Sequence, residues 1–361
     1  MEAPSSLEIL GGAILDAAPP AQETGEVLGA SREGRPIRGW KFGEGDLRVS
    51  LIGGCHADEP VGPELLRRLS GWLARLPRDH DALQRFAWWI VPHANPDGEE
   101  RNRPWQTKQS TQDEATCFDL IEYLTSAVRE APGDDLEFGF PRSDEDAAAR
   151  PESRAIWAWW RSESLPFHFH ASLHGMAFGA GPWFLIDAAW RDRTARLRRR
   201  CAEVSAAMGY QLHDVERRGE KGFFRIERGF CTRPSSTAMV EHFRAQRDET
   251  TAALFRPSSM EAVRALSGDA LTLVSEMPLF ITPGVGVNIG PPDPAAEEWK
   301  KKIDAWRLQL AKGQKPERIR ACSRSGCLAG MPIADQMRLQ WTFIAAGLEE
   351  VIRDRSARPR G

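Results

Sequence analysis

Residues 51–62 read LIGGCHADEPVG. An apolar run ends in two glycines, and a histidine and a glutamate follow within a few residues, His56 and Glu59. Taken with the residues before it, LRVSLIGG (47–54) has the length and apolarity of a buried strand. PELLRRLSGWLARL (63–76) then carries the spacing of an amphipathic helix, with Pro63 near its first turn. Strand, polar turn and helix form the unit of layered α/β proteins, and the alternation recurs along the chain. RFAWWIVPHAN (85–95) is a second strand, ending in Asn95-Pro96-Asp97-Gly98, read as a turn. FHFHASLHG (167–175) alternates as a strand, and DALTLVSEMPLF (269–280) is another. The polar stretch 104–133 looks like an insertion, 281–361 like a C-terminal helical extension, and the arginines of the last residues like an unstructured tail.

Composition narrows the classes. The chain has 361 residues, 41% hydrophobic and 27% charged, which is ordinary for a globular protein. Its 48 Lys and Arg nearly balance 51 Asp and Glu, so nothing marks a nucleic-acid binder. The N-terminus has no basic start followed by an apolar core, so no secretory leader is expected. No run approaches the roughly 18 apolar residues of a membrane helix. Six scattered cysteines suit a reducing cytoplasm, and Cys322 and Cys327 read as incidental thiols. Thirteen tryptophans, three of them in IWAWWRS (156–162), read as packing groups.

The strands bring ionisable residues to what reads as their carboxyl ends: His56 and Glu59, His174, and Glu276. Sites in open α/β sheets form in the crevice beyond those ends. Two histidines and a carboxylate suit a catalytic zinc, which keeps a fourth position open and lowers the pKa of water there to about 7. Glu276 is the candidate base, taking a proton and passing it to a leaving amine. His168 and His170 alternate onto the face of His174 and are rival ligands or packing groups; His93 reads as structural. Glu241 is the rival base, and the six arginines of 191–200 read as a solvated helix face.

The residues around these positions resemble the carboxypeptidase A-type zinc metallopeptidase family and its bacterial relatives. The landmarks, in order, are Gly29 to Ile37 (GASREGRPI), His56-Ala57-Asp58-Glu59, Asn95-Pro96-Asp97-Gly98, Phe140-Pro141, Pro151 to Ile156 (PESRAI), Ser172-Leu173-His174-Gly175 and Val274 to Pro278 (VSEMP). The resemblance implies an α/β fold with a mixed, twisted, eight-stranded sheet flanked by helices, and a single catalytic domain over 1–361. It implies His56, Glu59 and His174 as ligands of one zinc per chain, with Glu276 as general base and acid. It also implies an arginine after the Asn-Pro-Asp-Gly stretch to face the developing oxyanion, a role that falls to Arg103 or Arg101.

Departures from the family pattern bear on substrate. Where relatives that act at a free C-terminus carry Asn-Arg before a Phe-Pro pair, this chain has Glu137 and Phe138. Arg142 stands nearby as a replacement cation, and Arg142, Asn102, Glu137 and Phe138 are the candidate substrate contacts. The family's substrate-covering tyrosine is missing, for residues 211–361 contain none. The expectation is a cytoplasmic zinc hydrolase acting on a peptide, with altered recognition of the C-terminus. The alternatives are an amidohydrolase of N-acyl amino acids, resembling aspartoacylase and succinylglutamate desuccinylase, and a non-catalytic binding module on the same fold. No nucleic-acid or membrane partner is expected, and the sequence leaves the oligomeric state open.

Overall fold

The computed structural model describes residues 5–21, 24–112, 115–286, 293–324 and 328–357. Its strands are β1 (Glu26–Ala30), β2 (Pro36–Phe42), β3 (Leu47–Gly53), β4 (Phe86–Val91), β5 (Gln109–Gln112), β6 (Ala115–Phe118), β7 (Phe169–Gly179), β8 (Trp183–Ile186), β9 (Arg225–Glu227), β10 (Phe230–Thr232), β11 (Leu271–Ile281) and β12 (Ala329–Gly330). Ten of them form one mixed sheet in the order β1-β2-β4-β3-β7-β11-β8-β10-β9, with β12 paired to β11. The expected mixed α/β sheet flanked by helices is therefore present, with ten strands; β9, β10 and β12 are short pieces of two or three residues.

The middle of the sheet is parallel: β4 pairs with β3, β3 with β7, and β7 with β11. Such strands are covered on both faces, which is why they read as continuous apolar runs. Alternate residues go to opposite layers. Val49 and Leu51 of β3 join the cluster under the helices Val61–Leu73 and Ile333–Ala357, while Ile52 faces the cluster containing Trp89, Ile156 and Trp159. The helix Val61–Leu73 buries Leu65, Leu66, Leu69 and Leu73, the spacing of a single helical face.

Three expectations change here. Helix Ile333–Ala357 is no peripheral extension: Phe343, Ile344 and Ala345 are fully buried, and Gln340 Nε2 donates to the His174 carbonyl at 3.1 Å and to Ser275 Oγ at 3.2 Å. The same helix carries Arg353 and Arg355, so that part of the expected tail is ordered; residues 358–361 lie outside the described set. Asn95-Pro96-Asp97-Gly98 is a helix start, not a turn. Asn95 caps the helix Pro96–Gln106, accepting from the Gly98 N–H at 3.0 Å. Cys327 also lies outside the described residues; Cys55, Cys117, Cys201 and Cys231 are buried thiols, and Cys322 Sγ accepts from Lys302 Nζ at 3.1 Å.

Buried histidines give the fold an acid-sensitive core. His170 sits between Ser50 Oγ (3.0 Å) and Ser259 Oγ (3.2 Å), and burial, helped by Arg233, pushes it down to about 3. Burial likewise pushes His93 down to about 4. Both folded values lie below the ordinary histidine value, so the unfolded chain takes up the protons first as pH falls. Their contribution is intact above about pH 6.5 and is lost as pH falls toward 4, at about 1.4 kcal/mol per pH unit per histidine. Urea unfolding at pH 7 and pH 5 measures it, and His170→Gln is expected to flatten the dependence.

Candidate metal and catalytic site

The site begins where β3 stops. Gly54 adopts φ +66, and a Cβ there would lie 2.4 Å from the His93 ring, so the chain can turn sharply only with glycine. Cys55, His56 and Asp58 follow, and Glu59 arrives two residues before the helix Val61–Leu73. Leu173 of β7 is level with Gly53, which brings His174 beside this turn. His174 and Glu276 are direct register partners on β7 and β11 and point to one face. Neither is at a strand end, because both strands continue to Gly179 and Ile281 and remain paired there.

His56, Glu59 and His174 converge, each offering a ligand atom within 4.8 Å of the others. His174 is buried between two carboxylates. Its Nδ1 is 2.9 Å from Glu59 Oε2, and its Nε2 is 3.0 Å from Glu137 Oε2 and 2.7 Å from Ser172 Oγ. Burial opposes a charged His174, but Glu59 and Glu137 outweigh it and raise its pKa well above the ordinary value. His56 is shifted well below the ordinary value by burial and by Arg129. Glu276 is pushed up to about 8, first by burial and then by the Glu59 charge. Asp135 rises to about 6, again mainly through burial.

Several carboxylates thus face one another with few cations between them. That imbalance, the mixed N/O donor set and the orphaned, buried Glu137 Oε1 fit a divalent ion. A second group, Cys55, Glu137 and His174, is equally compact. It is the poorer candidate: burial raises the Cys55 thiol well above its usual pKa, and metals bind the thiolate. The adjoining cavity is lined by His56, Glu137, His174 and Glu276. That cavity holds about 270 Å³.

The cation beside the trio is Arg129, and the sequence did not single it out. Its Nη1 donates to Glu59 Oε1 at 2.8 Å and to Asp58 Oδ1 at 2.9 Å, while Tyr123 O–H donates to the other Asp58 oxygen at 3.2 Å. The segment carrying it is fastened on both sides. Asn102, fully buried, donates to the Val128 carbonyl at 2.8 Å and accepts from the Val128 N–H at 2.9 Å. Glu130 accepts from the Ala57 N–H at 3.1 Å and from Asn95 Nδ2. Asn102 therefore has a different place from the one expected. It touches no part of the cavity but locks the residue next to Arg129. Asn102→Ala leaves two backbone groups unpaired and is expected to cost about 1–3 kcal/mol in chemical denaturation, with a fall in turnover as Arg129 loosens.

Other expected site residues lie elsewhere. Arg101 pairs with Glu33 and Arg103 with Glu100, both on the outer face of the helix Pro96–Gln106, away from the cavity. The helix reading explains this: the two arginines follow the helical period, not a loop turned toward the metal ligands. Arg142 Nη2 donates to the Phe255 carbonyl at 2.6 Å and opens onto a separate surface groove with Glu241. Glu137 and Phe138 do line the cavity, but Glu137 holds His174, and Phe138 packs edge-on against Phe255. His168 accepts from the Arg48 N–H at 3.1 Å, and His170 is taken up by its two serines. In the arginine cluster, Arg193 pairs with Asp269 and Asp354, Arg198 with Glu227 and Arg200 with Glu8, so these three tie elements together.

The remaining landmarks are braces. Asp97 accepts from Ser31 Oγ (2.6 Å), the Glu33 N–H (3.0 Å) and Arg35 Nη1 (2.8 Å), which fastens the β1–β2 loop to the helix that holds Val128. Glu152 accepts from the Arg32 N–H at 3.1 Å.

Residues 15–183 match the family profile described as zinc carboxypeptidase. The match includes His56, Glu59 and His174 and ends before Glu276. Carboxypeptidase SOL1 of Arabidopsis thaliana is 32% identical over 148 residues, 39% of this chain and 25% of the relative. Carboxypeptidase E of Caenorhabditis elegans is 31% identical over 173 residues, 41% of this chain and 35% of the relative. The chain thus spans only a quarter to a third of the length of these relatives. Among solved structures, bovine thrombin-activatable fibrinolysis inhibitor aligns over 96% of this chain and 95% of its own, with TM-score 0.48 and 11% identity. A metallo-carboxypeptidase from Pseudomonas aeruginosa aligns over 95% and 68%, with TM-score 0.47 and 16% identity.

Proposed function

We propose that this chain, which belongs to the zinc carboxypeptidase family, is a zinc-dependent hydrolase that cleaves a peptide bond and recognises the substrate's carboxyl side in an altered way. The observation carrying this reading is the convergence of His56, Glu59 and His174 beside Glu276, next to a cavity lined by His56, His174 and Glu276. His56, Glu59 and His174 would hold one zinc ion. Zinc supplies a Lewis acid that makes water nucleophilic near neutral pH. Glu137 accepts from the far nitrogen of His174, which fixes the imidazole's orientation and leaves Nδ1 toward Glu59 and the metal.

The remaining steps belong to the chain's own groups. Glu276 takes the proton of the attacking water and returns it to the amine as the C–N bond breaks. Arg129 stands beside Glu59 and faces the negative charge that develops on the scissile carbonyl oxygen. The segment where relatives would offer an arginine to the substrate offers Glu137 and Phe138, so the carboxyl side has to be read by other groups. The cytoplasm is the compartment that suits the buried thiols Cys55, Cys117, Cys201 and Cys231, and no helix among the described residues is long and apolar enough to cross a membrane.

The test is hydrolysis of N-benzoyl dipeptides by protein stripped with a chelator and then titrated with zinc. Activity is expected to vanish on stripping and return to a plateau at one zinc per chain. Activity indifferent to the chelator, or none at full zinc occupancy, would overturn the reading.

A further inference from the structure

The cavity is lined by charges of both signs. Beside the carboxylates Glu130, Asp135, Glu137 and Glu276 it has Arg129, already engaged by Asp58 and Glu59, and two further cations, Arg217 and Lys221. Both are half-buried, and among the described residues neither side chain makes a hydrogen bond or ion pair. Apolar rings fix them instead: the Arg217 guanidinium lies 4.7 Å from the Phe223 ring centroid, and Lys221 Nζ lies 6.0 Å from that of Phe243. Burial, followed by the charge of Arg217, depresses the Lys221 pKa. Two unpaired cations facing one cavity repel each other unless an anion lies between them.

The loop that presents them is built to an unusual shape. Arg218 (φ 51) and Lys221 (φ 56) are left-handed without being glycine. Such residues persist only where their surroundings hold them, and they gather at binding sites. Here the base of the loop is closed by Arg225 on Asp214, through two bonds of 2.9 Å. Its far side is held by Thr232 Oγ1, which donates to the Gly222 carbonyl at 2.7 Å.

We infer that Arg217 and Lys221 form a clamp for a carboxylate on the substrate, replacing the cation that the Glu137-Phe138 segment lacks. The inference rests on the hydrolase reading above. A peptide offers carboxylates at its C-terminus and on acidic side chains, and the clamp takes one of these two. The Glu137 carboxylate disfavours a second carboxylate beside His174, so Arg217 and Lys221 are the cations left to receive it and thereby orient the substrate.

Three probes separate the sources: N-benzoyl-glycyl-phenylalanine, its carboxamide, and N-benzoyl-glycyl-glutamic acid α-amide. Binding is measured by calorimetry on zinc-loaded Glu276→Gln protein, and kcat/KM on the otherwise unaltered enzyme, each with and without Arg217→Gln plus Lys221→Gln. The double change is expected to weaken a carboxylate-bearing probe at least about tenfold. The neutral carboxamide is expected to change less than about twofold, and Lys221→Arg to retain most of the affinity. Loss confined to the first probe identifies the C-terminus, and loss confined to the third identifies an acidic side chain. Equal loss for all three probes, or no loss for any, overturns the clamp. Charge-dependent binding without hydrolysis of any probe would keep the clamp and sink the hydrolase reading. Hydrolysis of all three, untouched by the double change, would do the reverse.

Discussion

Glu276→Gln is expected to lower kcat by about 10²–10⁴ while zinc content stays unchanged. The amide keeps the size and hydrogen-bonding reach of the carboxyl group but cannot accept and return a proton. Glu276 is the direct register partner of His174 on the neighbouring strand, so it stands next to the metal trio without belonging to it. Its backbone is braced from behind by Gln340, which holds both the His174 carbonyl and Ser275. A small structural disturbance is therefore expected, and the loss should fall on kcat rather than KM. Parallel loss of zinc would assign Glu276 to the metal shell instead.

Arg129→Gln is the second large effect. Removing a single donor to a developing oxyanion costs about 10²–10³ in kcat. The variant also leaves Glu59 with one fewer partner, so zinc affinity should be measured alongside turnover. Arg101→Gln and Arg103→Gln are the matched controls: both arginines are more than half exposed and pair with surface glutamates. Turnover within about twofold of the unaltered enzyme is expected for each, as for other surface ion pairs. A hundredfold loss in either control, with Arg129→Gln unaffected, would return the role to the helix Pro96–Gln106.

These two residues also mark what was legible in the sequence. Glu276 ends a run of residues each suited to a buried strand, so strand pattern and residue type both pointed to it. His56 and Glu59 were readable for a different reason: they are close in the chain, and local geometry alone brings them together. Arg129 gave no such signal. It follows the helix Leu120–Ser126 in a segment without regular structure, and its placement depends on Asn102 through Val128 and on Ala57, the latter 73 residues from Glu130. Contacts that distant leave no period to detect.

The same limit explains the arginines that were misplaced. Asn-Pro-Asp-Gly carries strong turn chemistry, yet the same Asn-Pro pair also suits an N-cap followed by a proline in the first helical turn. The resemblance placed an oxyanion-facing arginine after this stretch, at Arg103 or Arg101, whereas the helix carries both outward to surface glutamates. The helix Ile333–Ala357 was taken for an extension because its sequence shows no clear polar face. Burial nearly all round removes the amphipathic signature that surface helices display.

The central claim is that His56, Glu59 and His174 hold the metal. Diffraction from zinc-loaded crystals, recorded on both sides of the zinc absorption edge, tests it most directly. One anomalous peak at about 2.0–2.2 Å from a nitrogen of each histidine and an oxygen of Glu59 is the expected result. A peak among Cys55, Glu137 and His174, or no peak near His174 at full zinc loading, would contradict it.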